Sequence, residues 1–160
     1  MTKEQDVIIS LIRTAFTGKV ETFPATVDWQ KVMDLSADLG VLAVCFSAIE
    51  SLPANQRPDM DCLMDWLGQA EYMKTENGHQ WEAAQKLGVI LAPAGVQLTL
   101  LKGKSVAQYY PVPEQRCSCD VDVFTEQFDK ACEVLESEDI ELEKAMYKDV
   151  SFTMDGVHFE

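Results

Sequence analysis

The stretch whose reading decides the fold is Val96-Gln97-Leu98-Thr99-Leu100-Leu101-Lys102-Gly103-Lys104-Ser105, answered further on by Asp120-Val121-Asp122-Val123-Phe124. The first six residues read as a strand, Gly103 as a turn, and Ser105 to Tyr110 as a short helix. A second strand spans Asp120 to Phe124. Side chains of an extended chain alternate between faces, so Asp120 and Asp122 share one side while Val121 and Val123 enter the core. Two acids on one face suit a divalent cation. Gly103 lets the backbone approach a phosphate with no Cβ in the way, and amides opening the next helix favour an anion. Ser105 either caps that helix or bonds a phosphate oxygen. Lys102, Lys104 and Arg116 are the cations at hand for phosphates.

Upstream the pattern is helical. Thr2 and Gln5 form a capping box, and Val7, Ile8, Leu11, Ile12, Ala15 and Phe16 recur at helical spacing until Gly18. A second helical region opens at Thr26 or Asp28, pauses at Gly40, and resumes to Pro53. A third begins at Pro58 and carries Leu63, Leu67, Ala70, Trp81, Ala84 and Leu87. Its glycines at 68, 78 and 88 predict a break near Gly78. The Met and Trp stripes on these helices read as core packing, not as a cofactor box.

Downstream come a helix with Phe128, Ala131, Cys132 and Leu135, a strand from Ile140 to Met146, and a hairpin. The hairpin turns at Asp155-Gly156 between alternating runs, a dipeptide whose backbone preference matches a two-residue β-turn. Its second strand stops at Glu160, so the chain is expected to continue within a larger protein. The expected fold is α+β. Residues 1–94 form a helical amino-terminal region, packed on a small mixed sheet with flanking helices formed by an incomplete core at residues 95–160. The boundary near Gly95 separates two layers, not two independent domains.

Composition sets limits on function. The chain has 160 residues, 47% of them hydrophobic, and 27 acidic against 13 basic side chains, a net charge of −14. That charge opposes nonspecific binding to nucleic acid or to an anionic membrane. No basic leader precedes an apolar run and no segment is long enough to span a bilayer, so a cytoplasmic location is expected. The five cysteines, at 45, 62, 117, 119 and 132, are odd in number and irregular in spacing, which reads as free thiols. Gly103-Lys104-Ser105 is not a P-loop. That motif needs a glycine five residues earlier, where Leu98 stands.

Leu100-Leu101-Lys102-Gly103, then Tyr110-Pro111, then Arg116, then Asp120-Val121-Asp122-Val123 resemble, in order and approximate spacing, the largely uncharacterised bacterial nucleotidyltransferases of the polymerase-beta-like superfamily. The resemblance implies that Gly103 and Ser105 meet a triphosphate, with Lys102 and Arg116 as further nucleotide-binding residues. It implies that Asp120 and Asp122 are the catalytic metal ligands for Mg2+ (or Mn2+), and that Glu160 supplies a third acid from a later strand. Lys104 departs from the superfamily, which tends to place a small residue directly after the glycine. Tyr109-Tyr110-Pro111 reads as packing and turn.

Two functional expectations follow. In one, the intact protein transfers a nucleotidyl group from a Mg2+-bound nucleoside triphosphate to a hydroxyl of a small molecule or protein. In the other, the chain is a catalytically silent acidic domain that binds a partner protein through its helical face. Such a domain has no need of a metal site at Asp120 and Asp122.

Overall fold

Helix α1 (Lys3–Thr17) is closed at its start by reciprocal bonds, Thr2 N donating to Gln5 Oε1 at 2.9 Å and Gln5 N to Thr2 Oγ1 at 3.3 Å. It ends on Gly18, whose φ of 68° lets its amide reach back to Thr14 O. Asp28 caps α2 (Trp29–Asp38) through Lys31 N, and Gly40 at φ 67° turns the chain into α3 (Leu42–Ile49). The computed structural model describes residues 2–21, 23, 26–146 and 149–160, with the backbone alone at residues 144–146.

Helix α4 (Met60–Leu91) overturns the break expected near Gly78: its 32 residues run unbroken through all three glycines. Each glycine costs about 1 kcal/mol relative to alanine. Packing outweighs that cost, because Trp66 and Ala70 are buried in one core and Ala83, Ala84, Leu87 and Leu91 in another.

By internal contacts the chain divides into two compact units, Met1–Thr75 with Ala107–Cys117, and Glu76–Val106 with Ser118–Glu160. The first is helical. Its core gathers Leu11, Leu42, Ile49, Leu52 and Trp66, and the indole of Trp66 donates to Leu42 O at 3.0 Å. Tyr110 meets the ring of Phe16 edge-on, with centroids 5.6 Å apart, so this tyrosine serves packing.

The second unit holds the sheet. Strand β1 (Thr99–Leu100) leads into α5 (Gly103–Ala107) and pairs antiparallel with β2 (Val123–Phe124); α6 (Phe128–Ser137) follows. These strands are shorter than the runs expected at 96–101 and 120–124. Strands β3 (Leu142–Met146), β4 (Asp149–Met154) and β5 (Val157–Phe159) form an antiparallel meander. Asp155 and Gly156, at φ 52° and 79°, make the expected tight turn between β4 and β5.

Three main-chain bonds join the two sheets. Val121 N donates to His158 O at 3.0 Å, Glu160 N to Val121 O at 3.2 Å, and Val123 N to Glu160 O at 2.8 Å, a parallel pairing centred on Val121 and Phe159. The resulting order is β1-β2-β5-β4-β3, a mixed sheet. One face buries Val121, Phe152, Phe159, Leu87, Leu91 and Leu135 in the second core. The fold is α+β, with a helical amino-terminal region and a small sheet. Among the described residues no helix is long and apolar enough to cross a membrane.

Candidate functional site

The parallel pairing of residues 121–123 with 158–160 brings distant acids together. Val121 is buried, so the alternation turns Asp120 and Asp122 to the opposite face, and on β5 the same alternation buries Phe159 and exposes Glu160. One carboxylate oxygen from each of Asp120, Asp122 and Glu160 lies within 4.8 Å of the other two. His158 shares their face, its Nε2 3.7 Å from Glu160 Oε1.

Beside the acids stands the glycine turn. Leu101 N donates to Asp122 O at 2.9 Å, which fixes the turn against the carboxylate strand. Lys102 and Gly103 both have positive φ, 40° and 31°. A Cβ at Gly103 would sit 3.4 Å from Ser118 Oγ, close to an ordinary contact, so it is the left-handed conformation that favours glycine. Lys102 Nζ lies 2.7 Å from Asp122 Oδ1. Its ammonium titrates above the ordinary lysine range, held there first by the hydrogen bond to Asp122, then by the charges of Asp122, Asp120 and Glu160.

The remaining expected residues are placed as follows. Ser105 Oγ donates back to Lys102 O at 2.5 Å, which fastens the turn and differs from a capping bond to an amide. Helix α5 has only five residues, so its dipole is a minor source of anion binding and the lysines carry most of the positive charge. Arg116 belongs to the first unit, where its Nη1 donates to Cys117 O at 3.2 Å. Lys104 is turned onto α4, its Nζ 5.9 Å from the ring centroid of Trp81. The side chain that breaks the small-residue pattern is therefore drawn aside from the turn.

A cavity of about 10 Å³, room for roughly one water, lies between Gly103, Lys104, Ser118, Asp120 and Asp122, with Gln80 and Ala84 as its floor. A larger cavity of about 100 Å³ opens near Glu160, walled mainly by apolar groups such as Leu98, Phe128, Leu135 and Phe152. The smaller one holds Asp120, Asp122 and the glycine turn, whereas Glu160 lines the larger.

Residues 25–160 match the family described as "Uncharacterised nucleotidyltransferase". The chain belongs to that family. No curated protein and no solved structure matches it. Membership of a nucleotidyltransferase family implies a nucleotide substrate, and such enzymes generally use divalent metals. The three carboxylates fit such an ion: they offer hard oxygen donors, and their spread barely exceeds the ~4.2 Å that opposite ligands of Mg2+ span.

Two supporting residues of this candidate site escape a reading by motif. Gln80 Nε2 donates to Ser118 O at 3.1 Å and holds the segment leading into Asp120; Ser118 Oγ in turn donates to Asp120 O at 3.1 Å. The signal for Gln80 is a polar residue on the stripe of Ala84, Leu87 and Leu91.

Proposed function

We propose that the protein is a polymerase-beta-like nucleotidyltransferase of bacterial, cytoplasmic type, in which residues 95–160 contain the catalytic core. It transfers a nucleotidyl group from a Mg2+- or Mn2+-bound nucleoside triphosphate to a hydroxyl of a small molecule or protein. The observation that carries this reading is the convergence of Asp120, Asp122 and Glu160 beside the Lys102-Gly103 turn.

In the reaction the acceptor hydroxyl loses its proton to solvent as its oxygen bonds to the α-phosphorus, the α–β phosphoanhydride bond breaks, and pyrophosphate leaves. Asp120, Asp122 and Glu160 are the residues that would hold the cation, which supplies charge neutralisation and alignment of the reacting oxygens. Gly103 leaves the backbone open to close approach by phosphate, and Lys102 presents a cation at the same turn. Gln80 and Ser118 orient the segment that carries the acids, so the carboxylates are held ready before substrate arrives.

The test is a melting experiment. Mn2+ together with a non-hydrolysable nucleoside triphosphate raises the melting temperature, and Asp122→Asn abolishes the rise. A hundredfold excess over the dissociation constant stabilises by about 2.7 kcal/mol, equivalent to roughly 5–10 °C for a chain of this size. No shift in the wild type returns the chain to the silent, partner-binding reading.

A further inference from the structure

We propose that Lys102 is the resident counter-ion of the carboxylate group and must leave Asp122 before a divalent cation binds, which couples entry of the cation to arrival of the triphosphate. The inference rests on the nucleotidyltransferase reading and adds an order of binding to it. Four observations carry it.

Lys102 Nζ already occupies a cation's place, 2.7 Å from Asp122 Oδ1. The pair is asymmetric: the Asp122 side chain is 13% exposed and that of Lys102 71% exposed. The carboxylate is thus fixed in the wall while the ammonium is free to swing into solvent. The Asp122 carboxylate that Lys102 engages is also one of the three whose oxygens lie within 4.8 Å of one another, so the ammonium and a divalent cation compete for the same carboxylate. Finally, Lys102 sits at φ 40°, a conformation that a side-chain-bearing residue resists. Backbone strain of this kind clusters at functional sites.

Lys104 does not serve as a substitute, since its ammonium lies over Trp81. A free divalent cation arriving alone must displace Lys102 and leave it without an anion. A cation arriving with a triphosphate brings the anion that Lys102 needs. Lys102 is therefore a positioning residue that lowers affinity for the bare cation and raises it for the cation–nucleotide complex.

The experiment is titration of Mn2+ into wild type, Lys102→Met and Lys102→Arg, with and without a non-hydrolysable nucleoside triphosphate, followed by the electron paramagnetic resonance signal of free Mn2+. In wild type the nucleotide tightens Mn2+ binding. In Lys102→Met, Mn2+ alone binds about threefold tighter or more, the scale on which an exposed ion pair acts, and the enhancement by nucleotide shrinks. Lys102→Arg keeps the charge and follows wild type. If Lys102→Met binds bare Mn2+ no tighter than wild type, this inference is overturned while the carboxylate site stands. If none of the three proteins binds Mn2+, both fall.

Discussion

Val121 lies beside Phe159 in a parallel bridge, and this pairing sets Asp120 and Asp122 next to Glu160. The two apolar residues of the bridge point into the second core while the acids flanking them point out. Core packing and site geometry are therefore coupled through one backbone pairing. Phe159 is fully buried and stacks on Phe152 with ring centroids 5.0 Å apart.

Phe159→Ala is expected to cost about 3–5 kcal/mol, the range for truncating a buried aromatic ring, and to weaken Mn2+ binding as well. Phe152→Ala empties a similar volume of the same core but does not adjoin a carboxylate in sequence. Its expected signature is a comparable loss of stability with a smaller loss of Mn2+ affinity. Urea denaturation and Mn2+ titration of the two variants separate the effects, and equal losses of Mn2+ affinity would contradict the coupling.

Gly103→Ala places a Cβ at φ 31° and 3.4 Å from Ser118 Oγ. The expected destabilisation is about 1–2 kcal/mol, the cost of left-handed backbone for a residue with a side chain. Nucleotide affinity is expected to fall too, because the new methyl stands where a phosphate approaches. Melting curves with and without a non-hydrolysable triphosphate check both.

Lys102 and Lys104 flank the same glycine but have different partners, Asp122 for the first and the Trp81 ring for the second. Lys104→Ala is therefore expected to change triphosphate affinity much less than Lys102→Ala. Calorimetric titration decides the matter. The reverse order would mean that Lys104 leaves Trp81 to act as a P-loop lysine does.

The parts of this molecule that were legible in the sequence are those governed by local rules. Alternation placed Asp120 and Asp122 on one face, Asp155-Gly156 announced its hairpin, and Thr2 with Gln5 announced the first cap, because each depends on residues a few positions apart. What was not legible is tertiary. The continuity of α4 past Gly78 is decided by burial of Ala83, Ala84 and Leu87, and burial overrides the local preference of glycine. The parallel pairing of Val121 with Phe159 leaves no periodic trace in either segment, so periodicity did not bring Glu160 and Asp122 to within 4.8 Å; only the family resemblance set Glu160 beside them. Gln80 reaches Ser118 across 38 residues, a separation that no motif spans.

The cysteines yield a prediction with a definite sign. Cys45 is fully buried, and burial pushes its thiol up from 9.0 to about 12, whereas Cys119 is exposed. Since the thiolate is the reactive form, iodoacetamide at pH 8 is expected to modify Cys119 rapidly and to leave Cys45 untouched until the protein unfolds, as read by peptide mass spectrometry. The same shift acts on stability. A folded-state value raised above the unfolded one means that the folded protein holds its proton more tightly. The corresponding stabilisation is complete below pH 9.0 and is lost as pH rises toward about 12. The difference in unfolding free energy between wild type and Cys45→Ala is thus expected to narrow steadily above pH 9, measured by urea denaturation at a series of pH values. A difference that stays constant to pH 11 would show that the Cys45 thiol is not held protonated by the fold.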